Sequence, residues 1–277
     1  MHLALRLMPL RFKKLSFSAA MGFAIIIVNL VVFTFAPFIA PYGETEVVGD
    51  IWLSSSDAFL MGTDHIGRDL FTRLVYGAQN TIGLALLITA LAFGIGTLSG
   101  FVAATLKGWV DQLLGRVVDI IMAFPPLIFA LMILSVMGSS VPVLVCVISL
   151  LDATRVFRLA RAVAMDIEVM PYVEAARLRG EGLWWVMRKE ILPNAMPPLV
   201  AEFGMRFCFV FLFISALSFL GLGLQPPAAD WGSMVRENAG AITFGIPVAL
   251  WPASAIALLT IGVNLVVDWF LTTRKRR

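Results

Sequence analysis

Charged residues are scarce in this chain of 277 amino acids. They make up 14% of the sequence, whereas hydrophobic residues make up 60%. Ordinary soluble domains are about one quarter charged and about half apolar. The shortage argues against a soluble globular domain, a nucleic-acid-binding domain or a disordered tail, and the apolar residues are gathered in long runs. The composition therefore predicts an all-α, polytopic membrane protein.

Residues and motifs that carry chemistry are also few. The two histidines, His2 and His65, form no His-Glu-x-x-His zinc motif, and the sequence has neither a Gly-x-Ser-x-Gly elbow nor a Gly-Lys-Ser/Thr phosphate loop. Cys146 and Cys208 lie within apolar runs and are interpreted as packing residues. We expect no metal site, no cofactor and no catalytic residue in this chain. If ATP drives its function, another chain must bind the nucleotide.

Six apolar runs are candidate membrane spans, since about 20 apolar helical residues cross a bilayer. They cover residues 17–35, 81–106, 120–137, 141–164, 196–222 and 247–271. The first run is longer than the apolar core of a signal peptide and is followed by Pro37 and Pro41, so it is interpreted as a retained span. The fourth is the weakest, because arginines begin at Arg155.

The placement of basic residues supports the fourth span. With six spans, seventeen of the 21 lysines and arginines lie on one side of the membrane. Without the fourth span, the Arg-Lys-Arg-Arg tail would lie outside, against the positive-inside rule. The sequence therefore predicts a cytoplasmic segment at 1–16 and one transmembrane domain at 17–277. It has outer segments at 36–80 and 223–246, an inner loop at 165–195, and both termini in the cytoplasm.

Polar residues near or inside the spans allow several interpretations. Glu202 and Arg206 are spaced for an ion pair within one helical turn, which we favour over a proton relay. Arginines recur every third residue from Arg155. We interpret them as the cytoplasmic end of the fourth helix rather than as a voltage sensor. Gly96 and Gly100, four residues apart, predict close helix packing.

A second set of polar residues precedes the second span. Asp64, His65 and Asp69 are residue types that can bind a cation. The alternative that we favour is that Asp64 caps a helix whose apolar stripe starts at Ile66. The favoured assignment requires no metal.

The inner loop at 165–195 is long for a connection between two helices. Its Tyr-Val-Glu-Ala-Ala sequence at 172–176 predicts a short helix with a small-residue face, and Gly180 permits a sharp turn. Pro193 is expected to interrupt the helix, so that the fifth span starts anew. A short helix outside the membrane with an acidic tip at Glu174 is suited to a groove on a cytoplasmic partner.

Three segments make the chain resemble the permease subunits of bacterial ABC importers of the dipeptide/oligopeptide/nickel group, in particular the second, C-type permease. They are Met-Gly-Thr-Asp-His-Ile-Gly-Arg-Asp at 61–69, Glu-Ala-Ala at 174–176 with Gly180 and Leu-Pro-Asn at 192–194, and Leu-Ser-Phe-Leu-Gly-Leu-Gly at 217–223 with the residues that follow to Gly232. The resemblance runs from about residue 20 to 272. It departs from the family at Glu181 and Glu190, where small residues and a histidine are usual.

The resemblance implies a type I importer permease with six helices that lines half of a translocation path for peptides or similar solutes. It implies a paralogous permease, two ATPase subunits that bind ATP and magnesium, and a periplasmic solute-binding protein, at the inner membrane. The residues that would couple to the ATPase are Glu174, Ala175, Ala176, Arg177, Gly180, Arg188 and Pro193. Those that would meet the binding protein or form an outer gate are Asp64, Gly67, Arg68, Asp69, Gln225, Pro226, Asp230 and Trp231.

Alternatives remain for the class of protein, for the role of the second outer segment and for the substrate. A secondary transporter would need ionisable groups at mid-membrane beyond Glu202 and Arg206, and an intramembrane enzyme would need a nucleophile and a base. The second outer segment is equally well interpreted as a rigid surface cap, with Gln225 and the prolines after it ending the fifth helix and Trp231 at the water–lipid boundary. Nickel, opines or sugar-like solutes remain possible substrates beside peptides.

Overall fold

The computed structural model describes residues 16–274, which are mostly helical. The long helices are α1 (Phe17–Ile39), α2 (Leu70–Leu106), α5 (Val141–Glu168), α8 (Leu192–Phe219) and α10 (Leu250–Arg274); the shorter ones are α3 (Gly108–Met122), α4 (Pro126–Met137), α6 (Pro171–Leu178), α7 (Leu183–Val186) and α9 (Trp231–Asn238). A π-helical segment, Met187–Ile191, joins α7 to α8, and a 3₁₀ segment, Ala239–Phe244, follows α9. The predicted cytoplasmic segment before Ser16 and the last three residues of the basic tail lie outside the described residues.

Four helices are long and apolar enough to span a membrane. They cover residues 17–39, 70–106, 183–219 and 250–273, and a fifth span results if α3 and α4 are counted together. Helix α5 has 28 residues but carries charged residues from Asp152 onward. The count of six spans therefore stays a prediction, whereas the all-α architecture is confirmed.

The third span differs from its prediction. The run at 120–137 is expected to be one helix, but the chain breaks between Met122 and Pro126, and the two helices are bent by 84°. Pro125 and Pro126 cause the break, because a proline disfavours the helical conformation of the residue before it and lacks an N–H group. Helix α3 is amphipathic, with Trp109 and Leu113 exposed on its outer side.

Helix α2 packs along α5, and two glycines set the distance between them. A Cβ atom at Gly96 would lie 2.7 Å from the carbonyl oxygen of Ala153, and one at Gly100 would lie 2.9 Å from that of Phe157. Only a residue without a side chain permits this approach. The packing role predicted for this glycine spacing is confirmed.

The start of the fifth span was predicted wrongly. Helical structure continues without a break from Leu183 through Pro193 to Phe219. The π-helical turn makes this possible: the amide of Leu192 donates to the carbonyl of Met187, five residues earlier. The wider turn relieves the clash that proline causes in a regular α-helix.

The start of the second helix was also predicted wrongly. Helix α2 begins at Leu70, and its N-cap is Asp69, whose side chain accepts a 2.7 Å hydrogen bond from the Thr72 amide. Asp64 instead closes a turn, accepting from the amides of Ile66 and Arg68 at 3.0 and 2.9 Å. The turn lies directly before the helix, so the apolar spacing from Ile66 does not start it. Residues 70–80, which were expected to lie in the outer segment, form the first turns of α2.

Candidate coupling segment and outer ion cluster

The coupling segment is the inner loop at 165–195, and its first helix is α6. Helix α6 lies outside the candidate spans and is held by its apolar side. Val173 and Ala176 are fully buried. Val173 packs in a cluster that includes Phe101 of α2, Ile167 of α5 and Ile191 of the π-helical segment. This burial gives the eight-residue helix a fixed position, which its length alone would not, since isolated helices this short are marginal in water. The short helix predicted at this place is confirmed.

A buried carboxylate ties α6 to the ends of two long helices. Glu168, the last residue of α5, has 3% of its side chain exposed and accepts a hydrogen bond from Arg177 of α6. The ammonium of Lys107, after α2, lies 3.9 Å from the same carboxylate, and Arg177 also donates to the carbonyl of Thr105 at 3.4 Å. Burial raises the pKa of Glu168, against the opposite influence of Arg177 and Lys107. Glu168 thus links α6 to the C-terminal ends of α5 and α2.

Gly180 ends α6 in the left-handed conformation, with φ of +83°. The amide of Gly180 donates to the carbonyl of Arg177, and the amide of Glu181 donates to the carbonyl of Ala176. This pattern closes the helix end and reverses the chain, and glycine adopts it without steric cost.

The outward face of the segment presents part of the predicted set. Glu174, Ala175 and Gly180 are exposed, as are Arg188 and Pro193 further along. Ala176 faces the chain's own core, and Arg177, 45% exposed, is engaged with Glu168. The structure thus separates residues that are free to meet a partner from two that hold the segment in place.

On the opposite side of the chain, four of the predicted outer residues precede or cap α2. The Oδ2 atom of Asp64 lies 2.7 Å from Nε of Arg68 and 3.3 Å from Nε of Arg73. Both arginines also approach Glu237 of α9, at 3.6 and 3.7 Å. All four side chains are largely buried, so the segment before α2 is fastened to α9 by an ion cluster from which water is mostly excluded.

Gly67 and the His65 backbone complete this connection. Gly67 has φ of +85°, and a Cβ atom there would lie 2.1 Å from the carbonyl oxygen of Gly49. The amide of His65 donates to the side chain of Asn238 at 3.1 Å. No group of three potential metal ligands occurs in residues 16–274, and the acidic residues here face arginines.

Asp230 and Trp231 connect α9 to α2 and α8. Asp230 is completely buried and accepts from the Ser233 amide and the Thr81 hydroxyl, each at 2.9 Å. Trp231 is 2% exposed, packs edge-on against Phe211, and donates from its indole to the carbonyl of Leu74. Its prediction as a residue of the water–lipid boundary is wrong, because its polar N–H is satisfied inside the protein.

Gln225 and Pro226 are exposed and lie beyond the helix they were expected to end. Helix α8 stops at Phe219, and Gly221, with φ of +90°, makes the turn. The Gln225 amide donates to the carbonyls of Gly221 and Gly223. The correction follows from the glycines, which leave the helix before the prolines are reached.

Comparison with known proteins identifies the kind of molecule that carries these features. The family described as "Binding-protein-dependent transport system inner membrane component" matches residues 95–277, which include the whole coupling segment. The chain belongs to this family. It is therefore a transmembrane permease subunit of an ABC importer.

Individual relatives agree with this assignment over most of their length. The chain is 34% identical to the di/tripeptide transport system permease protein DppC of Pseudomonas aeruginosa, covering 84% of this chain and 80% of the relative. It is 29% identical to the glutathione transport system permease protein GsiD of Pectobacterium atrosepticum, covering 93% and 86%. A crystal structure of an amino acid ABC transporter with histidines shares the fold, with a TM-score of 0.52 at 20% identity, covering 75% and 95%.

Inside the permease, the predicted ion pair is part of a larger charged cluster. Glu202 and Arg206 of α8 approach to 2.7 Å, and Arg206 also lies 3.5 Å from buried Asp152 of α5. The guanidinium of Arg155 lies over the ring of Phe209, 4.2 Å from its centre. Two acids and two arginines are thus balanced between α5 and α8, as charges buried in a membrane protein require.

The remaining arginines of the Arg155 repeat bind α3. Arg161 forms a bidentate ion pair with Asp111, and Arg158 contacts Asp119 at 2.7 Å. These pairs clamp the amphipathic helix against α5. Arg158 and Arg161 therefore have a structural role, which is to hold α3 on α5.

Sequence reasoning missed Glu168, Glu237 and Asp152 as site residues. Each is an acid whose importance depends on an arginine distant in the chain. Asp152 carried the clearest signal, because an acid within an apolar run is expected to be functional. Glu168 carried a weaker one, because it is one of several acids in an inner loop that contains charges of both signs.

Proposed function

We propose that this permease lines half of a translocation path for peptides and is driven by cytoplasmic ATP-binding subunits that grip α6. A paralogous permease would form the other half, and a soluble binding protein would deliver the substrate on the outer side. ATP hydrolysis would reside in the partner chains, and both termini of this chain would lie in the cytoplasm.

The observation that carries this proposal is the construction of the coupling segment. Helix α6 exposes Glu174 and Ala175 while its other side is packed on α2 and α5 and fixed through Glu168. A force applied to α6 is therefore transmitted to two long helices rather than absorbed by a flexible loop. An exposed carboxylate can accept charge-assisted hydrogen bonds from a partner.

Peptides are favoured as substrates by the relatives. Those described above, and a probable D,D-dipeptide permease of Escherichia coli that is 31% identical over 88% of this chain, are named for peptides or for glutathione, itself a peptide.

Replacement of Gly180 tests the coupling. Valine at this position must adopt φ near +83°, which a β-branched residue strongly resists, whereas asparagine tolerates that conformation. A Cβ atom there meets no neighbour within 4 Å, so the substitutions cause no steric clash within the chain. We expect Gly180→Val to insert normally but to reduce ATP-dependent peptide uptake at least tenfold relative to Gly180→Asn. The measurement is uptake into proteoliposomes containing the complete transporter, and equal uptake by the two variants would contradict the proposal.

A further inference from the structure

An apolar groove of about 310 Å³ opens between α2 and the helix that leaves the coupling segment. One wall is formed by Gly94, Leu98 and Phe101 of α2, and the other includes Trp184 and Leu192. Gly94 leaves the groove open, since a Cβ atom there would meet no heavy atom within 4 Å. The groove is separate from the exposed face of α6.

Both walls belong to helices that can span a membrane, residues 70–106 and 183–219. The outer side of α2 leading to the groove carries an exposed apolar stripe at Leu87, Leu91, Ile95 and Leu98, each 41–50% exposed. This spacing places the four side chains on one side of the helix. The groove is therefore continuous with a surface suited to hydrocarbon.

The mouth of the groove is amphipathic and basic. Trp184 is 62% exposed, and Arg188 is exposed beside it, followed by Lys189. Tryptophan side chains are enriched at the headgroup level of a bilayer, and basic pockets between membrane helices bind anionic headgroups. The groove thus combines an apolar lining with one basic side chain, as the binding of an anionic phospholipid requires.

We propose that this groove binds an anionic phospholipid, with one acyl chain between α2 and the π-helical segment and the phosphate at Arg188. An extended peptide would bring backbone N–H and C=O groups into a slot with few polar partners, and leaving these unpaired is costly. An acyl chain has no such groups. The bound lipid would couple the bilayer to the segment that carries α6.

The test measures which lipid the purified full-length chain retains. Dioleoyl phosphatidylglycerol and dioleoyl phosphatidylcholine are added in equal amounts to the protein in detergent, and retained lipids are counted by native mass spectrometry. We expect the wild-type chain to retain phosphatidylglycerol preferentially. Gly94→Leu, which fills the groove, should lose the retained lipid, whereas Gly115→Leu should keep it; Gly115 is a helical glycine of α3 whose Cβ position is equally open.

A second substitution tests the headgroup separately and does not depend on the groove being filled. Arg188→Gln should reduce the preference for phosphatidylglycerol roughly fivefold, the contribution of one basic residue near an anionic headgroup. Arg116→Gln, at an exposed arginine on α3, is the matched control and should leave it unchanged. The proposal is overturned if Gly94→Leu retains phosphatidylglycerol as wild type does, or if the wild-type chain retains the two lipids equally.

Discussion

Single buried charges determine how this permease holds its exposed parts. Glu168 fixes the coupling helix from inside, and Asp64 and Glu237 fix the outer segment in the same manner through Arg68 and Arg73. Burying a charge is unfavourable unless a partner compensates for it, so these contacts are sensitive to the loss of either member. The residues that position the functional surfaces are distinct from those that form them.

The Glu168–Arg177 pair can be tested with a double-mutant cycle. Arg177→Gln leaves a buried carboxylate with only Lys107 near it, and because Arg177 is partly exposed we expect a cost of about 1 kcal/mol, at the low end for an unsatisfied buried group. Hydrogen exchange of the α6 amides should then be faster. The double variant Glu168→Gln/Arg177→Gln should restore slow exchange in part.

Arg179→Gln is the control for this cycle, because Arg179 is exposed and lies 3.8 Å from Glu181 rather than from Glu168. It should leave exchange in α6 unchanged. If the double variant exchanges faster than Arg177→Gln alone, the buried pair is not what holds the helix.

Asp230 gives a pH dependence of known sign. Burial raises the pKa of this carboxyl above its usual value, against the hydrogen bonds from Ser233 and Thr81. The folded chain therefore binds the proton more tightly than the unfolded chain, and its stability from this group falls as the pH rises above about 4. Asp230→Asn keeps an N-cap for α9 and removes the titration.

The expected result is that the thermal midpoint of Asp230→Asn rises relative to that of wild type as the pH is raised from about 4 until the raised pKa is passed. Other titrating groups cancel in this difference. Thermal unfolding in detergent, followed by tryptophan fluorescence, measures it. A difference that does not change with pH, or that falls, would show that Asp230 is not held in the environment described.

At the scale of helices, the effect of a proline or a glycine on the helix depends on the residues packed around it. Pro125 and Pro126 break the third apolar run, whereas Pro193 is accommodated by a π-helical turn and the fifth run continues. Both runs contain proline, and α8 also contains the pair Pro197 and Pro198, so proline alone does not decide the outcome. What differs is that the segment before Pro193 is anchored by buried Met187 and Ile191, whose packing stabilises the helix on both sides.

Alanine substitutions at Gly96 of α2 and at Gly115 of α3 are expected to change the stability of the fold in opposite directions. Gly96→Ala places a Cβ atom 2.6 Å from that of Val156 and should destabilise the fold by about 1–3 kcal/mol through overpacking. Gly115→Ala meets no neighbour and should stabilise α3 by about 0.5–1 kcal/mol, because alanine favours the helix. Thermal unfolding of the two variants measures both, and shifts of the same sign would contradict the described packing of α2 on α5.

These elements show which features of the fold and the site can be predicted from the sequence. Apolar runs predict the long helices, and the Glu-Ala-Ala and Gly180 pattern predicts α6 and its turn. The predictions fail where residues distant in the chain decide the outcome. The indole of Trp231 donates to the carbonyl of Leu74 inside the protein, and Ala176 is buried although its motif predicts an accessible surface. Periodicity and motifs describe one chain segment, whereas burial depends on what folds against it.

At the scale of the whole molecule, the permease has two structured regions that we assign to partners, the coupling segment and the outer ion cluster. The coupling segment and the outer ion cluster are each tied to α2, whose 37 residues run between them. The site residues predicted from the resemblance lie in the coupling segment, in the turn before α2 and in the stretch from Gln225 to the start of α9. Their assignment to an ATPase and to a binding protein stays a proposal until the partners are present.

The most direct measurement of the central claim is site-specific cross-linking in the assembled transporter. Cysteine is introduced at exposed Ala175 in a chain with Cys146→Ser and Cys208→Ala, and Asp57→Cys in the outer segment serves as the control. A thiol-reactive photo-cross-linker should join position 175 to an ATP-binding subunit and leave position 57 unlinked to it. A link at position 57, or none at position 175, would contradict the claim that α6 is the surface the ATPase grips.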